Sequence, residues 1–181
     1  MKRYIAFLRG VNISGKNKVD MTVLKEELIG NGFYEVSSYL NSGNLVFSTE
    51  EDDPGSRIGK IIKDRFELDI PVYVIEADAL HQILKNAPSW WNSGDKGRYD
   101  NLIFILSQDS PEDICRSLGE PSDGLERIQI YDHVIFWTFD RKLYQKCNWW
   151  KKTASAGIAE KLTIRTAATV IKVCGLAGQV R

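Results

Sequence analysis

The segment RGVNISGKNKVDM, residues 9–21, sets Gly10, Gly15 and Lys16 at the G-x-x-x-x-G-K spacing of a phosphate-binding loop. Such a loop works because its glycines let backbone N–H groups wrap the phosphates, its lysine reaches the terminal phosphate, and the Ser or Thr that follows holds magnesium at the start of a helix. Here Asn17 stands where the hydroxyl should be, and the best helix cap, Asp20, comes well after the lysine. The run NLIFIL, which could supply an acidic partner strand, continues through Ser107 and Gln108 before reaching Asp109. The segment is therefore read as a strand-to-helix turn and not as a nucleotide-hydrolysing loop.

It can still do chemistry. Arg9, Asn12 and Lys16 crown the end of the first strand beside the turn NSGN, residues 41–44, and offer a fork donor, an amide and an ammonium to an anion. Asn41 and Asn44 in the turn, and Arg165 in the basic C-terminal segment, complete the candidate ligand-binding set. The bland alternative is that Gly10 and Gly15 allow a turn while Arg9 and Lys16 are simply solvated.

Other reactive residues lack context. His81 lies on an expected helix and His133 in an expected hairpin turn, neither with a second ligand at metal spacing, so no metal and no cofactor is expected. Cys115, Cys147 and Cys174 are odd in number and far apart, which suits a reducing cytoplasm better than a disulfide framework. No serine sits in G-x-S-x-G, and no catalytic residue is identified. The pairs Trp90-Trp91 and Trp149-Trp150 read as core, with a base-stacking platform beside Lys151 and Lys152 as the alternative.

The elements that must position these groups follow from pattern. YIAFL is a strand; Asp20 caps a helix in which Met21, Leu24 and Leu28 repeat, with Val19 and Leu24 as a hydrophobic staple. A hairpin around NSGN, a helix through Ile58, Ile61, Ile62 and Phe66, and the strand PVYVI complete βαββαβ, the split βαβ plan. After a linking helix over 78–86 the plan restarts: strand YDNLIFIL, a helix with Ser110, Pro111 and Asp113 at its start, and a hairpin turning at Asp132-His133. A helix capped by Asp140 and further helices near 153–161 and 167–177 follow, the last capped by Thr166. The expected class is α+β: two ferredoxin-like (α/β plait) halves, residues 1–77 and 78–181, each an antiparallel sheet covered by helices, with extra C-terminal helices.

Composition agrees. The 181 residues are 43% hydrophobic and 27% charged with zero formal net charge, so a real core is affordable and no global argument for nucleic acid or membrane arises. Charge is uneven: from Asp140 onward nine Lys or Arg face Asp140 and Glu160, a net +7 against −7 for residues 1–139. No apolar run reaches the ~18–20 residues of a membrane span, and the early Arg9 argues against a signal peptide.

The segments YIAFLRGVNISGKNKVDM and YLNSGNLVF resemble the signature of the bacterial proteins grouped as domain-of-unknown-function family 1697, and EKLTIRTAATVIKV is similar to its last motif. The resemblance implies a pair of α/β plaits and assigns no activity. That last motif usually reads Thr-Arg-Asn-Trp-Asn-Thr; here Arg165 and Thr169 match while Thr166, Ala167 and Ala168 replace the Asn-Trp-Asn core. Three functions are expected to compete: a binding module for an anionic small molecule or nucleic acid, an enzyme using the same polar cluster, and a protein-interaction domain.

Overall fold

The computed structural model describes residues 1–178, which fall into two compact units, Met1–Gln82 with Ile171–Gly178, and Ile83–Val170. The first unit begins β1 (Lys2–Leu8), α1 (Met21–Gly30), β2 (Tyr34–Tyr39), β3 (Asn44–Thr49), α2 (Pro54–Phe66), β4 (Val72–Glu76) and α3 (Ala77–Lys85), whose last residues pass into the second unit. Its sheet runs β2-β3-β1-β4, all neighbours antiparallel, with Ala6 opposite Leu45 on one side and Val74 on the other. The strand order and the two intervening helices are those of the split βαβ plan.

Local chemistry sets the helix ends. The Asp20 carboxylate accepts from the N–H groups of Thr22 (2.8 Å) and Val23 (3.3 Å), so α1 opens after the loop and not at Lys16. Val19 and Leu24 are both buried, as a staple requires, and Met21, Leu24 and Leu28 pack with Leu8, Phe47 and Ile58. Asp53 caps α2 through Ser56 N–H at 3.0 Å, with Pro54 in the first turn. The sheet face away from α1 and α2 is buried too: Ile5, Phe7 and Val46 have no exposed surface, which leaves no open aromatic face for stacking bases.

The second unit repeats the topology. It comprises β5 (Arg98–Ile105), α4 (Pro111–Leu118), β6 (Glu126–Tyr131), β7 (Val134–Asp140), α5 (Asn148–Thr153) and β8 (Leu162–Thr166), in sheet order β6-β7-β5-β8. The last helix, α6 (Ala167–Gly178), contributes its first residues to this unit. Ser110 and Asp113 form the expected reciprocal capping box at the start of α4.

Two expectations are corrected here. The helix anticipated after Asp140 is broken: the Asp140 carboxylate accepts from Lys142 and Leu143 N–H, both at 2.8 Å, fixing a turn, and Cys147 is extended before α5 begins. The helix anticipated over 153–161 is replaced by turns and a short 3₁₀ segment, and Leu162–Thr166 forms a strand pairing β5, with Ile164 opposite Ile103. The strand's Thr163, Ile164 and Thr166 are β-branched, which suits a pleated edge better than a helix end.

Candidate functional site: the loop between β1 and α1

The loop begins where β1 ends. Leu8 N–H donates to Gly43 O (2.8 Å) and Arg9 N–H to Pro71 O (2.9 Å), which ties the loop's base to the β2–β3 turn and to the entry of β4. Gly10, Asn12, Ser14, Gly15 and Asn17 all have positive φ, between 46° and 76°, so the chain coils through conformations that Gly and Asn tolerate best. Asn17 closes the coil from within, its side-chain N–H donating to Gly10 O at 3.0 Å and its carbonyl accepting from Asn12 N–H at 3.1 Å.

Asn12 is the pin. Its Nδ2 donates to Val19 O (2.8 Å) and to Asn41 O (2.7 Å), and its Oδ1 accepts from Val19 N–H (2.9 Å). Both amide hydrogens are thereby committed, and one side chain joins the loop, the entry of α1 and the β2–β3 turn. Asn44 plays the matching part in the turn: fully buried, it donates to Tyr39 O (2.9 Å) and Ser42 Oγ (3.1 Å). Gly43 makes the close approach possible. Its φ is +81°, and a Cβ there would lie 2.6 Å from Leu8 Cβ and from Val11 Cγ2.

Of the six candidates named from sequence, five belong to this loop and turn. Asn12 and Asn41 meet directly, Asn44 lies beneath the turn, Lys16 and Asn41 are exposed, and Arg9 is half-buried. Lys16 sits in the coil, its N–H on Ile13 O at 3.0 Å, remote from any helix start, so the G-x-x-x-x-G-K spacing does not build a phosphate-binding loop. Arg165 belongs to the second unit, on β8, where its guanidinium donates to Thr163 Oγ1 (2.9 Å) and Ile164 O (3.0 Å); burial pulls its pKa down to about 10.

Burial, with Glu112 nearby, pushes Cys115 up to about 11, and burial likewise raises Cys147 and Cys174, which keeps all three protonated at neutral pH. Both histidines are exposed. Among the described residues no three His, Cys, Asp or Glu side chains gather as a metal site would need, and no helix is long and apolar enough to cross a membrane.

The tryptophan pairs divide by role. Trp91 and Trp149 are buried, their indole N–H groups on Asn101 O (2.8 Å) and Gly119 O (2.7 Å). The segment Asn148-Trp149-Trp150-Lys151-Lys152 ties down the end of α4: Asn148 donates to Leu118 O and Glu120 O, and Lys152 to Leu118 O at 2.9 Å. Lys152 is thus a helix-end partner, and the exposed Trp150 packs edge-on against Tyr144 at 4.8 Å.

Sequence reasoning passed over Glu126, the buried carboxylate that organises this unit. It accepts from Ser122 N–H (2.9 Å), from Trp137 Nε1 (3.3 Å) and from Trp149 N–H (3.1 and 3.2 Å to its two oxygens). The available signal was an acid opening a β-run whose partner strand carries Trp137.

Among solved structures, that of a conserved bacterial protein from Streptococcus pneumoniae is similar to this chain with a TM-score of 0.80 at 25% identity, covering 97% of this chain and 98% of that one. No curated protein matches. The family model described as a protein of unknown function, DUF1697, matches residues 1–136, which include the whole loop and turn but not the C-terminal motif around Arg165. With that much of its length matched, the chain belongs to the DUF1697 family.

Proposed function

We propose that the first unit is a binding module for an anionic ligand of the nucleotide or nucleic-acid class, taken at the loop between β1 and α1. The observation that carries this reading is the state of the loop's cations. Lys16 and Lys18 are exposed and form no ion pair with the described residues, an unpaired state shared in the same unit by Lys25 and Lys172, whereas Lys2, Arg3, Arg57, Lys60, Lys63 and Arg65 each meet a carboxylate. No Asp or Glu occurs between Arg9 and Lys18.

A cation on a floppy loop gains little from an anion, because ordering the side chain and backbone offsets the attraction. A loop already pinned by Asn12 and Asn17 has met that cost on folding. In this reading Asn12 and Asn44 shape the site without touching the ligand, while Lys16, Lys18, the half-buried Arg9 and the exposed amide of Asn41 face it.

A thermal-shift screen tests this, with nucleotides, sugar phosphates, inorganic phosphate and short RNA and DNA oligomers offered to the wild type and to a Lys16→Ala, Lys18→Ala double variant. A ligand at about 100 times its Kd adds ~2.7 kcal/mol, a rise of a few degrees for a chain of this size. The expected result is a rise in the wild type that the double variant loses. A double variant that keeps every rise in full, or no rise with any anion, contradicts the reading.

A further inference from the structure

The second unit has a cleft of 470 Å³ where the start of β5, the residue after β7 and the opening of α6 converge. Lys96, Arg98 and Arg141 line it, and none of the three forms an ion pair with the described residues. Arg141 is held in place: its guanidinium lies 5.0 Å over the Tyr99 ring, and that ring stacks on Phe139 at 5.3 Å. Its N–H donates to Gly97 O at 2.9 Å, which fixes it to the loop that carries Lys96.

Two polar atoms here are buried without a partner, Arg98 Nη2 and Asp100 Oδ1. Buried donors and acceptors are seldom left so, because each forfeits its bond to water. The acids of the cleft are otherwise engaged: Asp95 Oδ1 accepts from Gly97 N–H (2.8 Å) and Asp100 Oδ2 from Asn92 N–H (3.0 Å). Asp140, opposite Arg98 in the sheet register, has its Oδ1 on the N–H groups of Lys142 and Leu143 and supplies a negative field near Arg98.

The first residues of α6 complete the lining. Thr166 Oγ1 accepts from Thr169 N–H at 3.3 Å, and Ala167 and Ala168 present only methyl groups. The helix's positive end adds to the field of the three cations. We propose that this cleft is a second, separate ligand site, for a phosphate monoester that also bears free hydroxyl groups: the phosphate on Arg98 and Arg141 with Lys96 nearby, a hydroxyl donating to Asp100 Oδ1. The orphan donor calls for an anionic acceptor and the orphan acceptor for a hydroxyl donor, and 470 Å³ suits a molecule of sugar-phosphate or mononucleotide size.

Isothermal titration of the full chain with ribose 5-phosphate, AMP, ribose and inorganic phosphate tests this. Binding of ribose 5-phosphate, AMP or both is expected, and which of them binds separates a sugar phosphate from a nucleotide. Arg98→Gln and Arg141→Gln are each expected to weaken it about tenfold or more, and Arg98→Lys to recover part of the loss. Asp100→Asn should weaken the hydroxyl-bearing phosphates and leave inorganic phosphate unchanged. The Lys16→Ala, Lys18→Ala double variant should keep the binding that depends on Arg141. Failure of both phosphate monoesters to bind the wild type overturns the proposal. So does affinity unchanged in Arg141→Gln and in whichever Arg98 variant keeps the wild-type circular dichroism, or Arg141-dependent binding lost in the Lys16, Lys18 variant.

Discussion

Asn12→Ala is expected to lower stability by about 2–4 kcal/mol, measured by chemical denaturation followed by circular dichroism. Three hydrogen bonds to Val19 and Asn41 vanish together, worth about 1–2 kcal/mol net in all because water can take over part of them in this partly exposed loop. Alanine must also hold φ near 55°, which asparagine tolerates and alanine pays for at roughly 1–2 kcal/mol. Asn12→Gly separates the two costs, since it loses the same bonds without the steric strain, and it is expected to fall between wild type and Asn12→Ala. Equal stability of all three would mean that the amide does not hold the loop. The same variants should weaken any ligand taken at Lys16 and Lys18, because the loop that presents those lysines is then ordered only on binding.

Glu126→Ala is expected to be costlier, about 3–5 kcal/mol, because it leaves the N–H groups of Ser122 and Trp149 and the indole of Trp137 without their shared acceptor in a buried place. Glu126→Gln keeps one oxygen and turns an NH₂ toward a donor, so about 1–3 kcal/mol is expected. All five tryptophans lie in the second unit, which makes fluorescence during urea unfolding the natural readout. The expected result is an earlier midpoint in the order wild type, Gln, Ala. An unchanged midpoint in Glu126→Ala would show that the carboxylate is not the hub of this unit.

What could be read from the residues was what short-range chemistry decides. The Asp20 cap, the Ser110–Asp113 box and the hairpins at 40–43 and 132–133 depend on neighbours a few residues apart, and they stand in the structure as expected. The strand Leu162–Thr166 depends on pairing with β5, far back in the chain, and five residues ahead of a helix carry too little periodicity to reveal it. The candidate site divides in the same way. Exposed cations in a glycine-rich loop are visible in sequence; the capture of the Asn12 amide by Val19 and Asn41 is not, although an asparagine between loop glycines is a recognised sign of such a side chain-to-backbone bond. Glu126 and the Asn148–Lys152 clamp stayed hidden because their partners come from distant segments.

Backbone amide chemical shifts during titration of isotope-labelled protein test the central claim most directly, with ATP and, separately, a short single-stranded RNA as the added anion. The account predicts that one of them produces saturable shifts at the amides of Gly10 through Lys18 and of Asn41 and Ser42, and that the shifts vanish in the Lys16→Ala, Lys18→Ala variant. Saturable shifts elsewhere with those amides unmoved, or no saturable shift with either, would contradict it.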